Sequence, residues 1–92
     1  MRTVEISAAA RRDIEYLRAW LAARAPNASK RAVRLILATA ATLAEFPERG
    51  RLIRNNQREL TVQFSSTGYV LRYVIHAERV TLSRVFHSLE RR

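Results

Sequence analysis

Seven polar or aromatic residues in the second half of the chain are of types that bind or process an anionic substrate. An arginine guanidinium holds a phosphate through two parallel hydrogen bonds. A tyrosine ring stacks on a base, and a histidine acts as a general acid near neutral pH. These residues fall on three predicted strands, so their side chains can converge on one open sheet surface. The seven are Arg58, Glu59, Tyr69, Arg72, Tyr73, Arg84 and His87.

Each of these residues also has a structural interpretation, which is favoured for any one of them taken alone. Tyr69 and Tyr73 alternate with Leu71 as core residues do. Arg72 can pair with Glu59 across a hairpin. A histidine near the end of a strand commonly hydrogen-bonds to the backbone. The chemical interpretation therefore depends on whether the side chains meet.

Size and charge set the first limits on function. The chain has 92 residues, with 17 Lys+Arg against 8 Asp+Glu and a net charge of +9, which predicts one small domain with an anionic partner. Sixteen of the 17 basic residues are arginine, which favours two-pronged binding of phosphate or carboxylate. An arginine-rich proteome would produce the same bias. Nucleic acid and an acidic protein are the two partner classes that the charge indicates.

Several kinds of site are disfavoured by residue types that are absent or badly spaced. The chain contains no cysteine, so it has no disulfide or thiolate metal site. His76 and His87 lack a third ligand at a recognisable spacing, and neither Gly50 nor Gly68 opens a helix, so we predict no metal and no cofactor. No apolar segment approaches the roughly 20 residues that span a bilayer. We therefore expect a soluble, cytoplasmic protein without a membrane partner.

The N-terminal part of the chain predicts a strand that leads directly into a helix. Residues 3–6 alternate between polar and apolar, and Ser7 is a good N-cap for a helix over residues 8 to about 24. Apolar residues recur at helical spacing within that range. They are Ala10, Ile14, Leu17 and Leu21, and Tyr16 and Trp20 are predicted to widen the apolar stripe.

A second helix is predicted over roughly residues 28–46. Pro26 interrupts the first helical pattern, Asn27 or Ser29 can cap the second helix, and Pro47 ends it. Basic residues near its start oppose the helix dipole, which indicates either that they face a partner or an acidic neighbour or, as is more common, that they form a solvated face at a small energetic cost. These residues are Lys30, Arg31 and Arg34.

The remainder of the chain predicts three consecutive antiparallel strands. Gly50 permits a turn, after which residues 59–64, 69–75 and 80–86 follow a two-residue period. Arg84 breaks the alternation and indicates a bulge or an inward charge. The order β-α-α-β-β-β predicts an α+β domain over residues 1–92, in which a helical hairpin packs on one face of a small antiparallel sheet.

An ordered set of segments resembles the ParE/RelE superfamily of bacterial type II toxins, and it covers the chain from about Val4 to His87. The resemblance implies a helical hairpin on a small sheet, and a cognate acidic antitoxin that folds on binding the toxin. The segments are SAAARRDIEYLRAWL, LAEFPERGR, RELTV, STGYVLRYVI and LSRVFHS.

The superfamily divides by target, and the chain is more similar to the ParE branch. RelE-like members cleave mRNA in the ribosome, whereas ParE-like members poison DNA gyrase. The RelE pattern places lysines where this chain has Thr61 and Gln63, its key arginine where Val70 stands, and a closing tyrosine that is missing. His87 occurs in both branches. The resemblance therefore favours a non-enzymatic gyrase inhibitor, with an mRNA endonuclease as the alternative and a non-toxic basic binding module as a weaker one.

Three sets of site residues follow from this interpretation. No catalytic residues are expected for a gyrase inhibitor, and no metal ligands in either case. A ribonuclease would use Arg58, Arg72, Arg84 and His87. Target contacts are predicted at Arg84, His87, Arg91 and Arg92. Antitoxin contacts are predicted at Leu60, Val62, Phe64, Arg31 and Arg34.

Overall fold

Two helices cover one face of a single five-stranded sheet. The computed structural model describes residues 1–90. A short 3₁₀ helix, Pro47–Arg49, follows the helical hairpin. The other elements, in chain order, are β1 (Thr3–Ile6), α1 (Ala8–Ala22), α2 (Pro26–Thr42), β2 (Arg51–Arg54), β3 (Gln57–Phe64), β4 (Thr67–Ile75) and β5 (Arg79–His87).

The strands lie in the order β1-β5-β4-β3-β2. Strand β1 pairs with β5 in parallel, while the other neighbours pair antiparallel, so the sheet is mixed. The predicted α+β fold, with its helical hairpin on a sheet, is confirmed. Strand β2 was not predicted from the sequence, and it adds a fifth strand at the edge beside β3.

Helix α1 is capped as its sequence predicts. The Ser7 hydroxyl accepts a hydrogen bond from the Ala10 N–H at 3.0 Å and donates one to the Ser83 carbonyl at 3.0 Å. The same side chain therefore starts the helix and attaches it to β5. Ala10 and Leu17 are the buried residues of α1. The prediction that Tyr16 and Trp20 widen the apolar stripe was wrong, because both side chains are exposed.

Helix α2 begins earlier and ends earlier than predicted. Pro26 occupies the first turn, where its missing N–H costs nothing, and neither Asn27 nor Ser29 caps the helix. Ser29 is instead buried and donates a hydrogen bond to the Arg18 carbonyl of α1 at 2.8 Å. The helix ends at Thr42 rather than Phe46, and the residues between them form a turn.

The core lies between the two helices and the face of the sheet that they cover. The α2 residues that face the sheet are spaced three and four apart, as expected for one face of a helix. The largest fully buried side chains are Tyr73, Ile36, Leu43, Leu71, Leu82 and Val80.

A bulge in β5 changes which side chains face the helices. Arg72 pairs with Arg84 and Tyr73 pairs with Leu82, so Ser83 is an extra residue on β5. Beyond the bulge, Val85 joins the core. The irregularity predicted at Arg84 is confirmed. Arg84 and Phe86 consequently lie on the face opposite the helices.

Gly50 lies at a bend between the 3₁₀ helix and β2, where the sequence predicts a turn. Its φ is −78°, a value open to any residue, so the need for glycine comes from a neighbouring side chain and not from the backbone conformation. An added Cβ would lie 2.6 Å from the Tyr73 hydroxyl oxygen. That hydroxyl accepts from the Gly50 N–H at 2.8 Å and donates to the Pro47 carbonyl at 2.6 Å. Gly50 therefore leaves space for a buried tyrosine that fixes the loop before β2.

Candidate functional site

Four charged residues are aligned across the face of the sheet that the helices leave uncovered, here called the open face. Arg51 pairs with Glu59, Glu59 with Arg72, and Arg72 with Arg84, on four successive strands from β2 to β5. Directly paired residues project on the same side of a sheet. The pairing therefore builds one row of charge that runs across the strands.

Glu59 is a buried carboxylate within this row. Its side chain is only 6% exposed, and its Oε2 accepts from Arg72 Nε at 3.0 Å and from Arg72 Nη2 at 2.7 Å. Arg51 Nη2 lies 3.5 Å from Oε1. The Glu59–Arg72 pair inferred from the sequence is confirmed, and it neutralises much of the charge that Arg72 would otherwise present.

Arg84 is held by a carboxylate from helix α1. Its Nε and Nη2 donate to the two carboxylate oxygens of Asp13 at 2.7 and 3.1 Å, and Asp13 also accepts from the Val85 N–H at 2.8 Å. The hydrogen bond with Asp13 raises the pKa of Arg84 above its usual value. Sequence reasoning missed Asp13, because nothing in its helical spacing indicates a partner 71 residues further along.

Phe86 lies between the two paired arginines. The guanidinium carbons of Arg72 and Arg84 are each 5.0 Å from its ring centroid, and the residue is 7% exposed. A base cannot stack on a ring that is this well covered. Each guanidinium uses Nε and Nη2 in its ion pair, which leaves Nη1 for another acceptor.

Arg58 lies on the opposite, helix-covered face of the sheet. It pairs with Tyr73 in the strand register, and its Nη1 donates to the Gly50 carbonyl at 2.8 Å. Its Nη2 is 4.0 Å from the exposed carboxylate of Glu48. These contacts support the loop before β2 rather than a surface site.

His87 also lies on the helix-covered side, at the end of β5. It pairs with Tyr69, and the two rings meet edge to face with centroids 5.8 Å apart. Its Nδ1 accepts from the Leu89 N–H at 3.2 Å, and its own N–H donates to Glu90 Oε1 at 2.8 Å. His87 therefore has the backbone contact that is typical of a histidine near a strand end.

The expected convergence of seven residues on one surface was wrong. Tyr69 and Tyr73 are buried in the core, and burial raises the pKa of both hydroxyls. Only Glu59, Arg72 and Arg84 share the open face. Of the four ribonuclease candidates, the structure brings together two, Arg72 and Arg84, and separates them from Arg58 and His87. Arg91 and Arg92, two of the predicted target contacts, lie outside the described residues.

The predicted antitoxin contacts on β3 lie along a partly unpaired strand edge. Strand β2 pairs only with Gln57–Glu59, so the rest of this edge of β3 has no neighbouring strand within residues 1–90. The apolar side chains of this stretch pack against the rim of the core and are partly exposed. They are Leu60, Val62 and Phe64.

The predicted basic contacts lie on the outer surface of α2. Arg31 and Arg34 are exposed, and Arg34 lines a groove of about 420 Å³ between α1 and α2. Val33 contributes apolar surface to the groove, while Arg18 and Lys30 add positive charge. An acidic segment with an apolar face would complement this groove.

Two classes of feature are absent from the described part of the chain. No group of three or more His, Cys, Asp or Glu residues there is placed to hold a metal ion. No helix within residues 1–90 is long and apolar enough to cross a membrane.

Comparisons with known proteins agree on one group of toxins. Residues 4–92 match the family described as ParE toxin of type II toxin-antitoxin system, parDE. The chain is 48% identical over 92 residues to Toxin RelE3 of Caulobacter vibrioides, covering 100% of both chains. It is 38% identical over 90 residues to Toxin RelE1 of the same organism, covering 98% of this chain and 97% of the relative. A solved chromosomal ParDE system from P. aeruginosa has the same fold, with a TM-score of 0.77, 14% identity, and coverage of 95% and 96% of the two chains.

Proposed function

The chain belongs to the ParE toxin family of type II toxin-antitoxin systems, and we propose that it inhibits DNA gyrase by binding it, without cleaving RNA. The observation that supports this proposal is the separation of His87 from Arg72 and Arg84. The imidazole lies on one side of the sheet, and the two guanidinium groups lie on the other.

RNA cleavage requires these groups to act together. Attack by a 2′-hydroxyl needs a proton acceptor, a proton donor for the leaving oxygen and a cation beside the charged phosphate, all within hydrogen-bonding distance. The neighbours of Arg72 and Arg84 are instead carboxylates, those of Glu59 on β3 and Asp13 on α1. Within residues 1–90, each of the two arginines is compensated by its ion pair, and His87 lies on the other side of the sheet.

Target contacts on β5 and beyond fit a binding function. The Arg84 side chain is 46% exposed even though it forms an ion pair with Asp13. His87 is the last residue of the same strand. Together with Arg91 and Arg92 they form the proposed gyrase contact. DNA gyrase acts in the cytoplasm, and the toxin would act there.

An acidic antitoxin would neutralise the toxin through a different surface. The net charge of +9, the basic groove between α1 and α2, and the unpaired edge of β3 all suit an acidic segment that folds on binding. In this proposal Arg31 and Arg34 contact its carboxylates, while Leu60, Val62 and Phe64 contact its apolar side chains.

The decisive experiment adds purified toxin to a gyrase supercoiling reaction and, in parallel, to an in vitro translation reaction probed for cut mRNA. Each reaction is run with and without the antitoxin encoded beside the toxin. Loss of supercoiling with intact mRNA, reversed by the antitoxin, is the expected result. Intact supercoiling with mRNA cut at ribosomal codons would overturn the proposal.

The second candidate is a ribosome-dependent mRNA endonuclease with a rearranged site. The Nη1 atoms of Arg72 and Arg84, on either side of Phe86, favour it, because they could engage successive phosphates. In that case Arg72→Ala and Arg84→Ala would each abolish mRNA cleavage in the translation reaction. Arg58→Ala, on the other face, would retain cleavage in proportion to the folded fraction.

A further inference from the structure

One flank of helix α1 carries an exposed row of two aromatic residues between two arginines. The residues occur every four positions and so lie along one ridge that continues past the end of the helix. All four are exposed; the exposed fraction is 67% for Tyr16 and 47% for Trp20. We call this row the α1 ridge; it consists of Arg12, Tyr16, Trp20 and Arg24.

A largely apolar pocket opens between the α1 ridge and the end of β5. Its volume is about 340 Å³, and it is lined by Tyr16, Trp20 and His87, by buried Leu17 and, at the end of β5, by Glu90. The Glu90 carboxylate accepts from the His87 N–H at 2.8 Å, so an apolar side chain, rather than a carboxylate of the partner, suits the pocket. The His87 side of the pocket is held in place, because the imidazole packs edge to face against the buried ring of Tyr69. The pocket is large enough to receive an apolar side chain from a partner.

The composition of the α1 ridge is that of a protein-binding surface. Tryptophan, tyrosine and arginine are the residues that contribute most binding energy at interfaces. The guanidinium of Arg24 lies 3.9 Å from the centroid of the Trp20 ring, which holds the indole in one orientation. An anchored aromatic ring loses little further conformational freedom when a partner binds.

The charge of the ridge defines the partner. Among the residues that the structure describes, neither Arg12 nor Arg24 forms an ion pair with a carboxylate, in contrast to Arg18 and Arg84. Ten residues of helical rise, about 15 Å, separate Arg12 from the last residue of α1, and Arg24 lies in the turn just beyond. A complementary segment carries carboxylates about that far apart and apolar side chains between them.

We propose that the α1 ridge and its pocket bind an acidic segment of the protein that the toxin inhibits, with an apolar side chain of that segment inserted beside His87. This inference rests on the proposed function, since it assigns the gyrase-binding surface. The ridge is continuous with the end of β5, where target contacts are proposed. The groove proposed for the antitoxin lies on the other flank of α1, along Arg18 and Ala22.

The first test compares truncation of the ridge with truncation of an equally exposed apolar residue elsewhere. Tyr16→Ala and Trp20→Ala remove contact surface while keeping a good helix former, so the fold is retained. Each is expected to raise the toxin concentration needed for half inhibition of supercoiling by about tenfold or more. Leu52→Ala, on β2 and 52% exposed, is the matched control and should leave that concentration unchanged.

The second test changes charge at adjacent positions of the same helix. Arg12→Glu reverses a charge on the ridge, whereas Arg11→Glu makes the same change one residue away, on the flank that faces α2. Both side chains are exposed, so circular dichroism melting curves should match the parent. Only Arg12→Glu is expected to weaken gyrase binding, and the loss should shrink as salt is added.

The outcomes separate this inference from the function on which it rests. A parent toxin that leaves gyrase untouched overturns the proposed function, whatever the variants do. A parent that inhibits gyrase, with Trp20→Ala and Arg12→Glu equally potent, overturns the ridge assignment alone. Ridge variants that lose gyrase inhibition but bind the antitoxin with unchanged affinity in calorimetry support the proposal. Loss of both interactions would assign the ridge to the antitoxin and overturn it.

Discussion

On β4 the side chains of Tyr69, Leu71 and Tyr73 face the helices, whereas Arg72 and Val74 face the other way. The first set is buried, and the Tyr73 hydroxyl is hydrogen-bonded to the backbone of Gly50 and Pro47. The second set includes an arginine whose partner is a buried carboxylate. One strand therefore supports an apolar core and a row of ion pairs back to back. The comparison teaches that strand register decides which side chains of the sheet lie on the same face and can meet.

The largest expected loss of stability comes from truncating a side chain on the helix-covered face of the sheet. Leu71→Ala should lower the free energy of unfolding by about 2–5 kcal/mol, because it opens a cavity at a fully buried position. Val74→Ala, on the half-buried opposite side, should cost clearly less. Urea denaturation of the two variants measures the difference. Equal losses would mean that both faces are packed alike.

Removing one hydroxyl on the covered side should have the next largest effect. Tyr73→Phe leaves the Gly50 N–H and the Pro47 carbonyl without their partner, at a cost of about 1–3 kcal/mol. Burial raises the pKa of Tyr73, so the folded state keeps the proton that the unfolded chain releases above about pH 10. Stability should therefore fall as pH rises above that value, and fall less steeply in Tyr73→Phe. A variant with the parent's full alkaline slope would contradict this assignment.

Removing a charge from the row on the open face should lower the stability less than either change in the core. Glu59→Gln removes the buried carboxylate that Arg72 and Arg51 share, and about 1 kcal/mol of stability should be lost in thermal unfolding. The matched control is Glu48→Gln, at a side chain that is 83% exposed and 4.0 Å from Arg58, where the change should be within about 0.5 kcal/mol. If both variants melt alike, the row contributes nothing to stability.

The smallest expected effect is on the exposed part of the open face. The double variant Thr61→Lys with Gln63→Lys adds the lysines that the RelE pattern has, at two exposed positions. Stability should change by about 0.5 kcal/mol or less. Because His87 stays on the other face, translation reactions should still show intact mRNA. Cleavage by this variant would show that the open face needs only cations to act as a nuclease.

Much of the fold could be predicted because local signals agreed with the final packing. The period of the apolar residues predicted both helices and the β3–β4 hairpin, and Ser7 predicted the start of α1. Strand β2 was not predicted because it is a four-residue edge strand. Leu52 in this strand is 52% exposed, so buried and exposed residues do not alternate along it. The cap of α2 was misassigned because Pro26 supplies the first turn by itself.

The candidate site was less predictable, because it depends on register between distant strands. One extra residue, Ser83, places Arg84 on the open face and His87 on the helix-covered face, the reverse of what unbroken alternation from buried Leu82 would give. The bulge itself was indicated by the sequence, but its direction was not. Asp13, which holds Arg84, could be recognised only once α1 was placed beside β5.

The parallel pairing of β1 with β5 also sets an order of events during synthesis. The Ser7 hydroxyl donates to the backbone of Ser83, which is 76 residues later in the chain. At typical elongation rates the ribosome needs about 4–15 s to synthesise the residues between them. The helical hairpin with its basic groove leaves the ribosome well before the strand that carries Arg84 and His87. On the surfaces proposed above, an antitoxin could therefore recognise the nascent chain before the chain is able to poison its target.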